Sequence, residues 1–221
     1  MPYEWNFSVV LESTPVLLKG LEMTIFLTAT TMIAGLILGL LVSLARLSSF
    51  NLLNMPAQAY TEFFRSTPLL VQLLWLYYSL PIITGITFSS EVTAFIGLTL
   101  NLGAFIAEIF RAGIVSIGKD QIEAAAAIGM SHYQTMRRII LPQAVRRIIP
   151  PLGSTWVSLF KDTSLVSTIA VSELMYKGSV LSIQTYRPVE IYTVIAVIYF
   201  FTSYPQARLV DYLFSRFRVR N

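Results

Sequence analysis

Residues 21–45 read LEMTIFLTATTMIAGLILGLLVSLA, and Arg46 follows. This block is nearly all apolar and long enough to cross a hydrocarbon core of about 30 Å at about 1.5 Å of helix rise per residue. Arg46 closes it with a residue that prefers the water boundary. The block therefore predicts a membrane-crossing helix, span one. Within it Gly35, Gly39 and Ser43 recur every four residues, a small-residue face that admits a second helix at close range, from this chain or from another subunit. The preceding stretch, residues 5–19, mixes Glu12, Ser13, Pro15 and Lys19 with Val and Leu, and reads as an interfacial amphipathic helix.

The composition agrees with a lipid solvent. Of 221 residues 55% are hydrophobic and only 13% charged, whereas a soluble domain keeps about a quarter of its residues charged. The absence of cysteine removes disulfide frameworks and thiolate metal sites. Met1 to Val10 contains Glu4 and no basic region, so the spans themselves are expected to direct insertion.

Four further spans follow. Span two, residues 57–80, is interrupted by Glu62 and Arg65 and should be kinked by Pro68. Span three, residues 92–114, carries Asn101, Glu108 and Arg111, the last two spaced i,i+3 on one helical face. Span four is expected to start near Pro150 and Pro151, since proline suits a first helical turn, and to run to about residue 171 with Lys161 and Asp162 inside it. Span five, residues 191–213, includes Pro205, and a tail with Arg216, Arg218 and Arg220 ends the chain. The expected fold is all-α and polytopic, a single transmembrane domain over residues 1–221 with about five membrane helices.

Charge distribution gives an orientation. Arg46, Lys119, Arg137, Arg138, Arg146, Arg147 and the tail arginines fall on one side, and Lys19, Lys177 and Arg187 on the other. The positive-inside rule places the C-terminus in the cytoplasm, and about five spans then place the N-terminus outside. The loop of residues 81–91, which has no Lys or Arg, falls outside as the rule requires.

The longest polar segment, residues 116–147, predicts a cytoplasmic helical hairpin. Glu123-Ala124-Ala125-Ala126-Ala127-Ile128 forms helix readily and Gly129 stops it. Ser131 with Gln134 three residues later fits a capping box for a second helix, whose apolar and basic faces come from residues 136–141, Arg137 and Arg138 among them, and Pro142 should end it. Taken alone, the pattern suits a surface hairpin, a nucleic-acid reader or a docking site for a cytoplasmic partner. A short hairpin between two spans reaches a duplex poorly, which favours docking.

Glu123-Ala124-Ala125, three residues, Gly129, nine residues, Ile139, one residue and Leu141-Pro142 resemble, spacing included, the EAA loop of ABC-importer permeases. Phe64-Arg65-Ser66-Thr67-Pro68-Leu69 and Lys161-Asp162-Thr163-Ser164-Leu165 resemble segments of the polar amino-acid subgroup, the histidine, glutamine, arginine, glutamate and cystine permeases. The similarity extends over nearly the whole chain. It implies the type I ABC importer permease fold in a bacterial inner membrane. It also implies a second permease subunit, the same or a sister chain, two cytoplasmic ATP-binding subunits, an external solute-binding protein and an amino-acid substrate. Glu123, Ala124, Ala125 and Gly129, with Ser131, Arg137 and Arg138 beside them, become the residues that couple to the ATPase. Alanines keep one helix face thin enough for a groove, and Gly129 permits the turn that orients the second helix.

Ionisable side chains deep in a span cost several kcal/mol, roughly, unless paired or facing a wet cavity. Arg65, Glu108, Arg111 and Asp162 are candidates for the solute pathway, an arginine meeting a carboxylate and Glu108 or Asp162 meeting an ammonium. The alternative is structural pairing, Glu108 with Arg111 first. Thr67, Asn101 and Thr163 join the pathway candidates, although packing against a neighbouring helix suits Asn101 or Thr163, taken alone, better than a solute contact.

Other signals fail on chemistry. Gly113, Gly118 and Lys119 imitate a phosphate-binding loop, but Asp120 stands where a Ser or Thr should hold magnesium and no strand precedes. ATP is thus expected to be bound and hydrolysed by another chain, so this one is neither an enzyme nor a cofactor carrier. His132 lacks a second histidine or cysteine to share a metal. Trp75 to Tyr78 and Tyr199 to Phe201 read as interfacial aromatic belts. A secondary transporter or channel working without an ATPase, and a membrane scaffold, are the competing classes.

Overall fold

The computed structural model describes residues 3–217, so Arg218 and Arg220 of the basic tail lie outside the described residues. Among these the secondary structure is helical throughout. Helix α1 spans Ser8–Leu47, α2 Asn51–Ser66, α3 Leu69–Leu74, α4 Leu80–Thr84, α5 Ser90–Val115, α6 Lys119–Ala127, α7 His132–Thr135, α8 Leu141–Asp162, α9 Leu174–Thr185 and α10 Pro188–Phe217. Helices α1 and α5 are long and apolar enough to cross a membrane, and α2 with α3 and α4 makes a third such element if the broken pair counts as one span. The break falls at Thr67-Pro68, as the proline requires: α2 ends at Ser66 and α3 starts at Leu69.

Three boundaries differ from the sequence expectation. The amphipathic segment of residues 5–19 is not separate from span one; both belong to α1, which carries Pro15 inside it. One proline costs a single backbone bond, that to the Leu11 carbonyl, which a helix of 40 residues tolerates. Pro142 does not end a helix and Pro150 does not start one, because α8 runs unbroken from Leu141 through both. The sequence 136–140 forms a π turn in which the Leu141 N–H reaches back to Met136 O. A second π turn, Trp75–Ser79, ends in the same way at Leu80, one residue before Pro81. In both places the widened turn brings the helix to a proline that has no N–H to satisfy.

Span four also stops early, since α8 ends at Asp162 and Thr163–Ile169 is a 3-10 helix. Four hydroxyls explain the tightening. Thr163, Ser164, Ser167 and Thr168 each bond the carbonyl three residues back, at 2.7–2.8 Å, and so compete with the i−4 ladder. Beyond it lies α9, which the sequence reading missed.

The chain divides into two compact units. The first comprises residues up to Ile33, Thr67–Thr99 and Trp156–Gln206, and the second Ala34–Ser66, Leu100–Thr155 and the chain from Ala207 onward. In the first unit Val10, Leu17, Leu174, Leu181, Ile191 and Ile195 form the core. Gly20 lets α1 pass the start of α9, where an added Cβ would lie 2.9 Å from the Leu174 Cα. Glu173, fully buried, caps α9 by accepting from the N–H groups of Met175 (2.9 Å) and Tyr176 (2.7 Å) and from the Tyr199 hydroxyl (3.2 Å). Tyr199 is thus a core partner and not part of an aromatic belt. Glu190, equally buried, accepts from the Tyr3 hydroxyl and the Asn6 N–H and pairs with Arg187 at 3.5 Å, which ties the N-terminal segment to α10.

In the second unit the small-residue face of span one is used within the chain. A Cβ on Gly35 would lie 2.7 Å from Leu102 Cδ2, and one on Gly39 would lie 2.5 Å from Ile106 Cγ2. Both neighbours belong to α5.

Candidate functional site

The hairpin is built as the sequence pattern demands. Helix α6 ends with Gly129 at φ +78°, a left-handed conformation that non-glycine residues resist. The N–H of Gly129 bonds Ala126 O and that of Met130 bonds Ala125 O, both at 3.0 Å, the paired bonds of a Schellman stop. Helix α7 then starts on a complete capping box. The Gln134 N–H donates to Ser131 Oγ at 3.3 Å and the Ser131 N–H donates to Gln134 Oε1 at 2.9 Å.

Exposure separates the candidate coupling residues. Glu123, Ala124, Gly129, Ser131, Arg137 and Arg138 are exposed, whereas Ala125 is buried against its own chain. The sequence reading missed three apolar neighbours: Ile122, Ile128 and Tyr133 are 40%, 76% and 69% exposed. Large apolar side chains at the tip of a polar hairpin favour a protein surface over open solvent. Their signal was in the sequence, since Ile128 interrupts the alanine run beside Gly129, but periodicity does not fix which face a short helix presents. His132 is exposed at the first position of α7.

The base of the hairpin is fixed. Ile117, Ile140, Ala144 and Ile148 form a buried cluster at the end of α5 and the start of α8. Arg147 donates to Ser116 O at 2.6 Å. Gly113 permits the close approach, for a Cβ there would lie 2.3 Å from Ile148 Cγ1. That packing explains Gly113, which sits inside α5 and not in a phosphate loop.

Of the pathway candidates, four lie in the second unit, and three of these meet. Glu108 pairs with Arg46, with Arg111 at 2.6 Å and with Arg65 at 3.7 Å. The structural pairing with Arg111 is therefore present, and Arg46, which closes span one, is the member that sequence reasoning missed. One carboxylate shared by three guanidiniums leaves a net positive site. Asn101, the fourth, donates to Phe64 O at 3.1 Å, a bond between α5 and α2.

The remaining candidates belong to the first unit. Thr67 accepts from the Gln72 amide at 2.7 Å through its hydroxyl and at 3.0 Å through its carbonyl. Thr163 is fully buried and bonds Phe160 O. Asp162 is exposed, and among the described residues its carboxylate makes no ion pair or hydrogen bond. No cluster of three metal-binding side chains occurs among the described residues.

Comparison with known proteins gives the family. The model of the binding-protein-dependent transport system inner membrane component matches residues 7–219. The probable amino-acid ABC transporter permease protein YckA of Bacillus subtilis is 42% identical over 89% of this chain and 87% of its own length. The glutamine transport system permease protein GlnP of Escherichia coli K12 is 36% identical, with 90% of each chain covered. A chain from the crystal structure of an amino acid ABC transporter with histidines superposes with TM-score 0.92 at 34% identity, covering 97% of this chain and 100% of that one. A chain of the MetNI methionine ABC transporter, at 21% identity and TM-score 0.77, shares the fold. The chain belongs to the family of binding-protein-dependent transport system inner membrane components. It is a multi-pass, all-α inner-membrane permease of the ABC-importer type.

Proposed function

We propose that this permease imports polar amino acids by alternating access driven by a separate ATPase. The observation that carries the proposal is the exposed hairpin, stopped at Gly129, restarted at Ser131 and continuous through the π turn into α8. Glu123, Ala124, Gly129, Arg137 and Arg138, with Ile128 and Tyr133, present the surface that enters the ATPase, while Ala125 packs the hairpin from beneath. Because α7, the π turn and α8 follow without a break, displacement of the tip moves a membrane helix instead of bending a loop.

The partners are two cytoplasmic ATP-binding subunits, a second permease subunit and an external solute-binding protein. The amino-acid class rests on the names of YckA and GlnP. Asp162, which makes no ion pair or hydrogen bond among the described residues, is the carboxylate available to a solute ammonium, whereas Glu108 already holds three arginines. Among the described residues ten of the fourteen Lys and Arg belong to the second unit, which supports a cytoplasmic side for the hairpin, a cytoplasmic C-terminus and an external N-terminus.

The test is co-purification with candidate ATPases, followed by ATP hydrolysis measured across a panel of amino acids with their binding proteins. Stimulation by at least one amino acid, lost in Glu123→Ala, is expected. No stimulation across the panel refutes the substrate class, and uptake that survives deletion of the ATPase favours a secondary transporter.

A further inference from the structure

Within the second unit, α2, α5 and α8 enclose a cleft of about 420 Å³ lined by Arg65, Phe105, Glu108, Ser116, Arg147 and Pro151, among others. The geometry points to this cleft as a binding site for an anionic phospholipid, its phosphate held by Arg65 and Arg147 and an acyl chain laid along Phe105, Ile109 and Pro151.

Charge comes first. Both oxygens of Glu108 are taken, one by Arg46 and the Arg111 Nε (3.1 Å), the other by Arg111 Nη2 (2.6 Å). Arg65 therefore obtains only a 3.7 Å approach to a carboxylate already in use, and its guanidinium stands 5.7 Å from the centre of the Phe105 ring with 40% of its side chain exposed. Arg147 spends one nitrogen on Ser116 O, is otherwise exposed, and makes no ion pair among the described residues. Three guanidiniums thus share a single carboxylate while Arg147 stands apart from it, and the two that line the cleft, Arg65 and Arg147, have donors to spare.

Position selects the kind of anion. Helix α5 qualifies as a membrane span and ends at Val115, so Ser116 and Arg147 lie at the end of a span, where headgroups are found. Phe105 stands ten residues before Val115, about 15 Å further along the helix, at the depth of acyl chains. Phe105 is 42% exposed, an apolar wall for a chain. A free phosphate has no use for such a wall. A zwitterionic solute would bring its ammonium toward two arginines and a carboxylate already held by others. A phosphodiester with attached chains satisfies both ends of the cleft.

The test is native mass spectrometry of the permease complex released from phosphatidylcholine nanodiscs made with and without phosphatidylglycerol, scoring retained lipid. Selective retention of phosphatidylglycerol is expected, reduced roughly fivefold by Arg65→Gln or Arg147→Gln alone and about thirtyfold by the pair. Arg208→Gln, an exposed arginine of α10 that does not line the cleft, should leave it unchanged. If the double variant fails to fold, the two single variants carry the comparison. Retention that ignores the headgroup, or that is the same with and without the two arginines, overturns the proposal, as does absence of any adduct, the result expected if a second subunit covers the cleft. Chasing with inorganic phosphate or with free amino acid separates the sources: adducts that survive both support a lipid, and displacement by either reassigns the cleft to that ligand. The outcome is independent of which solute the permease carries.

Discussion

Replacing Gly129 tests whether the hairpin turn is set by backbone conformation alone. A Cβ built on Gly129 has no atom within 4 Å, so within this chain a side chain costs nothing sterically. What it meets is φ +78°, which costs a non-glycine residue about 1–2 kcal/mol. Gly129→Ala should therefore shift the balance between the closed Schellman stop and the frayed turn by roughly 5- to 30-fold. The Met130 amide, bonded to Ala125 O, reports that balance directly, and its hydrogen exchange, followed by mass spectrometry in the isolated permease, should accelerate by the same factor. Gly129→Asn should stay within about threefold of the parent, because asparagine tolerates the left-handed region. Gly129→Val should be at least as impaired as alanine. Equal acceleration by Asn and Val would refute the reasoning, since conformational cost separates them and bulk does not. In the assembled transporter, a loss of coupled transport by Asn that exceeds its effect on exchange measures contact with the partner, as the chain itself leaves that space empty.

Other expectations follow from the same geometry. Ser131→Ala removes one half of the capping box and should cost about 1 kcal/mol, seen as faster exchange of the Gln134 amide and restored by Ser131→Asp. Gly113→Ala overpacks Ile148 by about 1–3 kcal/mol and Ile148→Ala opens a cavity worth about 2–5 kcal/mol. The double variant should recover at least about 1 kcal/mol relative to the sum, read from unfolding midpoints in detergent; strict additivity would mean that the two residues do not share the space. Glu108→Gln leaves Arg46 and Arg111 without their carboxylate and should lower the midpoint more than Arg65→Gln does, because Arg65 holds the longest of the three contacts. The reverse order would remove Glu108 as the brace of the cluster.

Long helices were legible where the apolar background was strong. Residues 92–114 and 191–213 lie within α5 and α10, although the first carries Glu108 and Arg111 and the second Pro205. Prolines were misread at 142, 150 and 151, since a stop signal is local and the π turn that admits Pro142 depends on backbone five residues upstream. The turn of the hairpin was readable to the residue because its signals, Gly129 and the Ser131–Gln134 pair, act over three or four positions, whereas the end of its second helix was not. Glu173 and Glu190 were overlooked for the opposite reason. Their distant partners, Tyr199 for the first and Tyr3 and Asn6 for the second, are 26, 187 and 184 residues away, a separation that no pattern window crosses, although Met175, Tyr176 and Arg187 are local. Arg46 escaped in the same way, read as a boundary marker while its guanidinium turned to Glu108, 62 positions on.

The two units solve the problem of charge in an apolar setting by different chemistry. In the second, rich in cations, Glu108 is neutralised by guanidiniums, and the surplus charge stays partly exposed at Arg65 and Arg147. In the first, where cations are scarce, the buried Glu173 is held by backbone N–H groups and hydroxyls, and Glu190 mainly so, with one arginine at 3.5 Å. Hydrogen bonds of short reach in a buried site are little affected by ions in solution, whereas partly exposed ion pairs are screened within about a Debye length. Salt and anionic lipid should therefore act on the unit that carries the hairpin and leave the cap of α9 and the tether of the N-terminal segment untouched. The two units thus answer differently to ions in solution. The difference follows from which carboxylates found arginines and which found only amides and hydroxyls.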